Sequence, residues 1–251
     1  IEVVRKPRYV KEDICKGCGD CASVCPVRGI PSNFDEGLKT HSAAHVPFSS
    51  AVPPVYLVDD SKCLHLNYGI CGLCQQSCSA DAIDFSQKEK KISLNVGAIV
   101  IATGWIQDKP EEFHRLAGSS PNVVSSMQFE RLLSANGPTG GELIRLNDKK
   151  HPHKVAFVQC VGSRDFHNPE CKKYCSAICC MAGAKQAIIT TEHAPGTETF
   201  IYNTEIRAKG KNFYEFIEKS REEYGEEYVN GRATQIEEDP ETGDLIVFYE
   251  D

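Results

Sequence analysis

The stretch Cys15-Lys-Gly-Cys18-Gly-Asp-Cys21-Ala-Ser-Val-Cys25-Pro26 decides the fold of the N-terminal part of this chain. Its C-x2-C-x2-C-x3-C-P spacing is typical of 4Fe–4S proteins, in which one tight loop supplies three thiolates and lends the fourth to a neighbouring cluster. Gly17 and Gly19 allow backbone N–H groups to approach the sulfides. Zinc sites, the alternative, usually keep two cysteine pairs separated by a longer span. The spacing therefore predicts iron–sulfur ligation.

A looser copy of this motif follows, in Cys63…Cys71-Gly-Leu-Cys74-Gln-Gln-Ser-Cys78. We expect its long first loop, residues 64–70, to bulge outward. Exchange of the fourth ligand between the motifs predicts two ligand sets. Cluster one takes Cys15, Cys18, Cys21 and Cys78, and cluster two takes Cys25, Cys63, Cys71 and Cys74. Two clusters linked in this way predict an electron relay, with a purely structural role as the alternative. His65 is expected to be an ordinary loop histidine, because there are enough thiols without it.

The composition indicates metal binding in a reducing compartment. The chain has 251 residues, 13 cysteines and a formal net charge of −7 from 28 basic and 35 acidic residues. An odd number of cysteines in tight spacing, without a secretion signal, argues against a disulfide framework and indicates the cytoplasm. The acidic balance argues against nucleic acid, which requires a basic surface. No apolar run approaches the roughly 18 residues of a membrane-spanning helix.

The remaining sequence predicts an α/β fold. Residues 91–96 alternate like a half-buried strand, and the apolar run 98–102 predicts a buried strand. From Lys154 onward, strands and helices alternate in the manner of a doubly wound parallel sheet. The further predicted elements are a helix over 126–134, a strand over 155–159, a helix over 175–190, a strand over 199–202, a helix over 212–223 and a hairpin turn at 240–243.

A third group of cysteines surrounds the turn after the strand at 155–159. Only Gly162 is present where a dinucleotide-binding unit carries its glycine-rich turn, so we predict no nicotinamide binding there. On the predicted helix, Cys175 and Cys179 share one face. With Cys160 and Cys180 they provide four thiolates for one more 4Fe–4S cluster, leaving Cys171 over. A buried cysteine-rich helix and a redox disulfide are the alternatives.

Taken together, these segments resemble the flavin-containing iron–sulfur subunit of heterodisulfide reductase. The resemblance covers essentially the whole chain. It is carried by Pro7-Arg-Tyr-Val10, the first cysteine motif, Phe34-Asp-Glu-Gly37, Cys71-Gly-Leu-Cys74, Val96-Gly-Ala-Ile-Val-Ile-Ala-Thr-Gly104, Phe129-Glu-Arg-Leu-Leu133, Gly137-Pro-Thr-Gly-Gly141, Gln159-Cys-Val-Gly-Ser-Arg-Asp165 and Tyr174-Cys-Ser-Ala-Ile-Cys-Cys180.

The resemblance implies a thioredoxin-reductase-like FAD domain with an inserted ferredoxin domain. It implies four parts: a flavin-domain strand at 1–10, the two-cluster ferredoxin-like insertion at 11–84, the rest of the flavin-domain strand and a connection at 85–150, and a Rossmann-like subdomain at 151–251. Ala102, Thr103 and Gly104 would end a strand close to the FAD. Lys185 falls where the family places a lysine near the flavin N5, as a catalytic residue. The third ligand set falls on Cys160, Cys175, Cys179 and Cys180.

The family splits electron pairs at the FAD, between ferredoxin and the subunits that reduce the heterodisulfide CoM-S-S-CoB. The implied partners are those subunits, ferredoxin, and a hydrogenase or formate dehydrogenase that supplies electrons. Because the glycine-rich FAD fingerprint is missing, we expect a central fragment that does not bifurcate electrons alone. The alternatives are a related quinone-interacting complex and a non-catalytic iron–sulfur scaffold.

Overall fold

The computed structural model describes residues 1–250, which form two compact units, one from Ile1 to Trp105 and one from Ile106 onward. The elements of the first unit are β1 (Glu2–Arg5), α1 (Asp20–Ser23), β2 (Ile30–Pro31), β3 (Thr40–His41), β4 (Ala44–His45), β5 (Leu57–Val58), α2 (Leu64–Tyr68), α3 (Leu73–Ser77) and β6 (Lys90–Ser93). Its strands form three antiparallel pairs, β1 with β6, β2 with β3 and β4 with β5. Such short pairs are marginal alone, so this unit depends on its side-chain core.

Cysteines form a large part of that core. Cys25, Cys63 and Cys74 are buried in a cluster with small and β-branched residues. The other buried members are Val10, Ala43, Ala44, Val55, Val58, Ala82 and Ile83. The core of the first unit therefore surrounds the predicted ligands rather than excluding them.

The prediction for residues 91–102 was wrong in two respects. The strand β6 forms and pairs with β1, but all of its residues are exposed. The run 98–102 is not a strand, and the side chains of Ile99, Val100 and Ile101 are 66%, 89% and 82% exposed. A buried strand needs neighbouring strands and cover on both faces, and within residues 1–250 no strand pairs with this run.

The second unit is built on a parallel sheet. Its elements are α4 (Ser126–Leu133), β7 (Lys154–Val158), α5 (Cys179–His193), β8 (Glu198–Asn203), α6 (Phe213–Tyr224), β9 (Glu227–Asn230), β10 (Arg232–Glu238) and β11 (Leu245–Glu250). The sheet has the order β7-β8-β9 with both pairs parallel, and β10 and β11 form an antiparallel hairpin. The helix α5 contacts α4, α6 and β8. Phe129, Phe157, Ala187 and Ile201 are buried in the core between them.

The predicted mixed α/β class is confirmed, and most predicted elements of this unit form within a few residues of their expected bounds. The helix at 175–190 is the exception, because α5 begins at Cys179. Ala177 has a φ of 59°, and a residue in the left-handed region interrupts a right-handed helix. Cys175 therefore lies in the turn before the helix, and the expected helical face shared by Cys175 and Cys179 was wrong. Within residues 1–250, no helix combines the length and the apolar character that crossing a membrane requires.

Candidate iron–sulfur centres

The structure brings the four cysteines predicted for cluster two to one cavity. Cys25 of the first motif lines it together with Cys63, Cys71 and Cys74 of the second. Ala43, Ala44, Val58, Leu64 and Phe85 provide apolar walls. All 13 cysteines are free thiols, so no disulfide competes for these sulfurs. An apolar cavity lined by four thiols from two motifs has the donor chemistry of a 4Fe–4S cluster with an exchanged ligand.

The backbone around this cavity explains how the looser motif reaches it. Residues 64–68 form the short helix α2, which ends at Tyr68 and is followed by Gly69 with a φ of 68°. The far end of the segment 64–70 is exposed, as expected, with Tyr68 at 73% and Ile70 at 58%. Cys63 caps the start of α2. Cys71 has a φ of 78° and Gly72 a φ of 150°, conformations that turn the chain sharply before α3. A helical turn thus takes up the additional residues and returns the chain to the cavity.

His65, predicted to be an ordinary loop histidine, lies within α2 and lines this cavity. Its ring lines the cavity and stacks on Phe85 with the centroids 4.0 Å apart. Its Nδ1 lies 3.1 Å from the carbonyl oxygen of Cys71. His65 therefore connects the backbone of Cys71, a predicted ligand, to Phe85 in the wall of the cavity. Its position two residues after Cys63 was the only signal available in the sequence.

The cysteines predicted for cluster one surround α1. Cys21 lies within α1, which begins after Gly19 with a φ of 89°. Gly17 is required at its position, because a Cβ there would lie 2.8 Å from the carbonyl oxygen of Pro54. Cys78 directly follows α3, which packs against α1, and its Sγ accepts a hydrogen bond from Ala82 N at 3.3 Å. The helix that contains Cys21 and the helix that precedes Cys78 thus pack against each other.

Two further side chains adjoin the first motif. The hydroxyl of Tyr56 lies 3.0 Å from the point that a Cβ on Gly19 would occupy. Burial, with a further contribution from the nearby thiols of Cys21 and Cys18, raises the pKa of Tyr56. Asp20 Oδ2 lies 3.3 Å from Cys18 Sγ. The surroundings of the first motif thus contain a carboxylate and a phenol.

The surroundings of Cys21 and Cys74 disfavour the thiolate form of these two side chains. Burial raises the pKa of Cys21 to about 12 and that of Cys74 to about 11. Neighbouring thiols add to both shifts, Cys15 to that of Cys21 and Cys63 to that of Cys74. Among residues 1–250, no three His, Cys, Asp or Glu side chains converge on a single-ion position. These cysteines would hold a cluster as thiolates, because the positive charge of iron would offset that of the sulfurs.

The third group of cysteines meets at the start of α5. Cys160, with a φ of 61°, follows β7 and is buried. A hydrogen bond with the Cys179 thiol, together with burial, raises the pKa of Cys160. A hydrogen bond from Cys179, followed by the backbone N–H of Arg207, lowers the pKa of Cys180 to about 7. Cys175 acts in the opposite direction on Cys180 through its charge. Cys179 thus interacts with both Cys160 and Cys180, and Cys175 lies close enough to affect the pKa of Cys180.

Cys171 is placed differently. Its backbone N–H donates to the carbonyl oxygen of Asn168 at 3.1 Å, in the loop between Cys160 and Cys175. It is partly buried and has a free thiol. The prediction that it lies outside the ligand set stays a prediction.

The residues expected near a flavin lie on an exposed segment and on a helix. Ala102, Thr103 and Gly104 are exposed, and Gly104 has a φ of 70°. Lys185 lies on α5, where its Nζ is 2.5 Å from Oε1 of Glu130 on α4. Gln186 Nε2 donates to the other oxygen of Glu130 at 3.3 Å. Sequence reasoning singled out the lysine but not its carboxylate partner.

Comparison with known proteins supports iron–sulfur binding. Residues 8–30 match the family model described as "4Fe-4S binding domain". The chain is 44% identical over its whole length to the A-type iron–sulfur subunit of CoB–CoM heterodisulfide reductase from Methanocaldococcus jannaschii, of which it covers 37%. It is 45% identical over its whole length to a second such protein, from Methanopyrus kandleri, again covering 37%.

A third relative, from Methanococcus maripaludis, is the A-type component of an "H(2)/formate:CoB-CoM heterodisulfide,ferredoxin reductase". It is 40% identical over the whole chain, which covers 37% of it. The chain thus spans little more than a third of the length of these relatives. These identities lead to one conclusion: the chain is similar over its whole length to A-type iron–sulfur subunits of heterodisulfide reductase, of which it matches little more than a third.

Proposed function

We propose that this chain is the electron-transfer part of a heterodisulfide reductase, relaying single electrons between FAD and 4Fe–4S clusters. The observation that carries this proposal is the cavity shared by Cys25, Cys63, Cys71 and Cys74. Ligands exchanged between two motifs hold two clusters side by side, as a relay requires. Names of relatives that include ferredoxin and a heterodisulfide support the same role.

Three ligand sets would hold the clusters, which supply one-electron chemistry when bound. Cluster one is assigned to Cys15, Cys18, Cys21 and Cys78, and cluster two to Cys25, Cys63, Cys71 and Cys74. Cluster three is assigned to Cys160, Cys175, Cys179 and Cys180. The protein's own contribution is to bury these sulfurs, to orient them and to place charges beside them.

We assign the flavin contacts to Ala102, Thr103, Gly104 and Lys185, within a thioredoxin-reductase-like, doubly wound FAD domain. An ammonium near the flavin ring stabilises a reduced, anionic flavin. Lys185 would provide that ammonium, and Glu130 would hold it in place on α5. The turn after β7 lacks the glycines that a nicotinamide dinucleotide requires, so we propose that electrons do not enter from a nicotinamide at this turn.

The proposed partners are the heterodisulfide-reducing subunits, ferredoxin, and a hydrogenase or formate dehydrogenase that supplies electrons. The name of the relative from Methanococcus maripaludis, which includes hydrogen, formate and ferredoxin, supports this set. The proposed compartment is the cytoplasm, because 13 free thiols suit a reducing environment.

Iron analysis and low-temperature EPR of the anaerobically purified chain test this proposal. We expect about eight iron atoms per chain for two clusters, or about twelve for three, with reversible reduction. Zinc, fewer than four iron atoms, or clusters that resist reversible reduction would contradict the relay. The last result would favour an iron–sulfur scaffold. Absorbance of the supernatant after denaturation shows whether the chain retains FAD.

A matched pair of variants tests the exchanged ligand. Cys25→Ser should remove the signal of cluster two, although Cys25 belongs to the first motif. Cys171→Ser should leave iron content and EPR signals unchanged. Loss of iron from Cys171→Ser but not from Cys25→Ser would overturn the ligand assignment.

A further inference from the structure

We propose that Arg164 and Arg207, linked through Glu205, make the cluster held by Cys160, Cys175, Cys179 and Cys180 easier to reduce than cluster one. This inference rests on the proposed function, because it assumes that these four cysteines hold a cluster. It concerns the charges that surround the ligands, and it predicts an order of reduction along the relay.

Arg164 is held directly beside the Cys160 sulfur. Its Nη1 lies 3.9 Å from Cys160 Sγ and donates to Thr204 Oγ1 at 2.8 Å. Its Nη2 donates to Glu205 Oε2 at 3.0 Å. Only 21% of the side chain is exposed. The guanidinium is thus fixed at three points and partly shielded from water.

Arg207 binds the same carboxylate oxygen as Arg164. Its Nε and Nη2 donate to Glu205 Oε2 at 3.0 and 2.9 Å. Its backbone N–H donates to Cys180 Sγ at 3.4 Å. Interaction with Glu205, assisted by the charges of Cys175 and Cys160, raises the pKa of Arg207. One carboxylate therefore binds two guanidinium groups, which leaves one net positive charge beside the ligands.

The backbone that carries Arg164 is also anchored. Arg232 donates to the carbonyl oxygens of Ser163 and Arg164, each at 3.3 Å. Its Nη2 lies 3.6 Å from Asp165 Oδ2. Arg164 itself has a φ of 56°, which is uncommon for a side chain of this size. These contacts hold the left-handed turn that directs Arg164 back toward Cys160.

Positive charge at this distance favours the reduced cluster. Reduction adds one negative charge to a cluster, and neighbouring charges and hydrogen bonds to its sulfurs set the potential. Guanidinium groups remain charged throughout the physiological pH range. In the first motif a carboxylate, not a guanidinium, contacts a ligand sulfur: Asp20 Oδ2 lies 3.3 Å from Cys18 Sγ. The guanidinium of Arg28 donates there to the backbone carbonyl oxygens of Ser23 and Cys25. An electron leaving the flavin would therefore favour the cluster at Cys160 over cluster one.

An EPR-monitored redox titration of the purified chain tests this inference. We expect Arg164→Gln to lower the ratio of reduced to oxidised third cluster about tenfold at a fixed potential. For a one-electron couple this corresponds to about 59 mV. Arg164→Lys, which retains the charge, should recover most of the shift. The control is Lys154→Gln, which removes one positive charge from the opposite end of β7 and should leave the ratio unchanged.

Glu205→Gln provides a test of opposite sign. Removing the carboxylate increases the net positive charge, so the same ratio should rise. If the Arg164→Gln protein does not retain the third cluster, the Glu205→Gln protein alone tests whether the nearby charges set the ratio of reduced to oxidised cluster. An unchanged ratio in Arg164→Gln, or a fall in Glu205→Gln, would overturn the inference. A native chain that shows no third EPR signal would instead overturn the assignment of the third ligand set.

Discussion

Lys185 Nζ lies 2.5 Å from Glu130 Oε1, an ion pair that joins α5 to α4. Gln186 binds the second carboxylate oxygen, so the carboxylate has one charged and one neutral partner. About half of the lysine side chain is exposed. Exposed ion pairs contribute only about 0–1 kcal/mol. The pair therefore contributes little to folding and leaves the ammonium accessible to a bound group.

The first prediction concerns Lys185→Met. We expect its free energy of unfolding to differ from that of the native chain by less than about 1 kcal/mol, as measured by denaturant titration. In protein that carries FAD, flavin reduction should slow at least tenfold, as followed by stopped-flow absorbance. Lys219→Met, which breaks the exposed pair with Glu223 on α6, is the control for loss of a surface lysine. Equal flavin kinetics in both variants would assign Lys185 a surface role.

The second prediction concerns His65. Because His65 ties the Cys71 carbonyl to the cavity wall, His65→Ala should release iron from cluster two several-fold faster in the presence of a chelator. His65→Asn retains a donor near the position of Nδ1 and should release iron more slowly than the alanine variant. Bleaching of the visible absorbance measures the rate. Identical bleaching of native and alanine proteins would show that the contact does not hold the ligand.

The third prediction concerns close packing of Gly183 against Gln159. A Cβ on Gly183 would overlap Gln159 Nε2. Gln159 is 8% exposed, and its Oε1 accepts no hydrogen bond from the described residues. Gly183→Ala should therefore destabilise the chain by no more than about 1 kcal/mol, because the cost of overpacking is offset in part by the helix preference of alanine over glycine within α5.

Gln159→Ala provides the control for that clash. In the Gln159→Ala background, Gly183→Ala should lower the free energy of unfolding by less than it does in the native chain. A double-mutant cycle measured by denaturant titration gives the difference. Additive costs would show that the two residues do not compete for space.

The fourth prediction concerns pH and Glu226. This carboxyl is 4% exposed and accepts hydrogen bonds from Thr199 and Thr191, yet burial raises its pKa above 4.5. The folded state thus favours the protonated form. Its contribution to stability is complete below pH 4.5 and is lost as the pH rises through the folded pKa.

Glu226→Gln removes this dependence. We expect the variant to melt at a higher temperature than the native chain near pH 7.5, with the difference vanishing toward pH 4.5. Thermal unfolding across this range measures the effect. A difference that is constant with pH would mean that the carboxyl does not titrate between these states.

Sequence could predict the features that local spacing determines. The first cysteine motif, the helix α4 and the strands β7 and β8 follow from patterns within a few residues. The start of α5 could not be predicted, because a single left-handed residue, Ala177, decides it. The run at Ile99–Ile101 was misjudged because apolar character indicates a preference for burial but not which strands are present to provide it.

Contacts between distant segments were also outside the reach of sequence alone. His65 and Cys71 are joined by the path of α2, and Glu130 meets Lys185 only after two helices pack. The ion pairs of Glu205 with Arg164 and Arg207 form between two loops, one after β7 and one after β8. Each of these is a tertiary contact between residues with no shared periodicity.

Cys25, Cys63 and Cys74 lie in the centre of the first unit, where other small domains place leucine or phenylalanine. Bound iron and sulfide would fill part of the core of the first unit as well as carry electrons. Cluster insertion and folding of this unit would therefore be coupled. Degradation of the clusters by molecular oxygen would therefore remove part of the core and the electron-transfer path at the same time. Synthesis of this chain would then have to be matched to the supply of iron and sulfide.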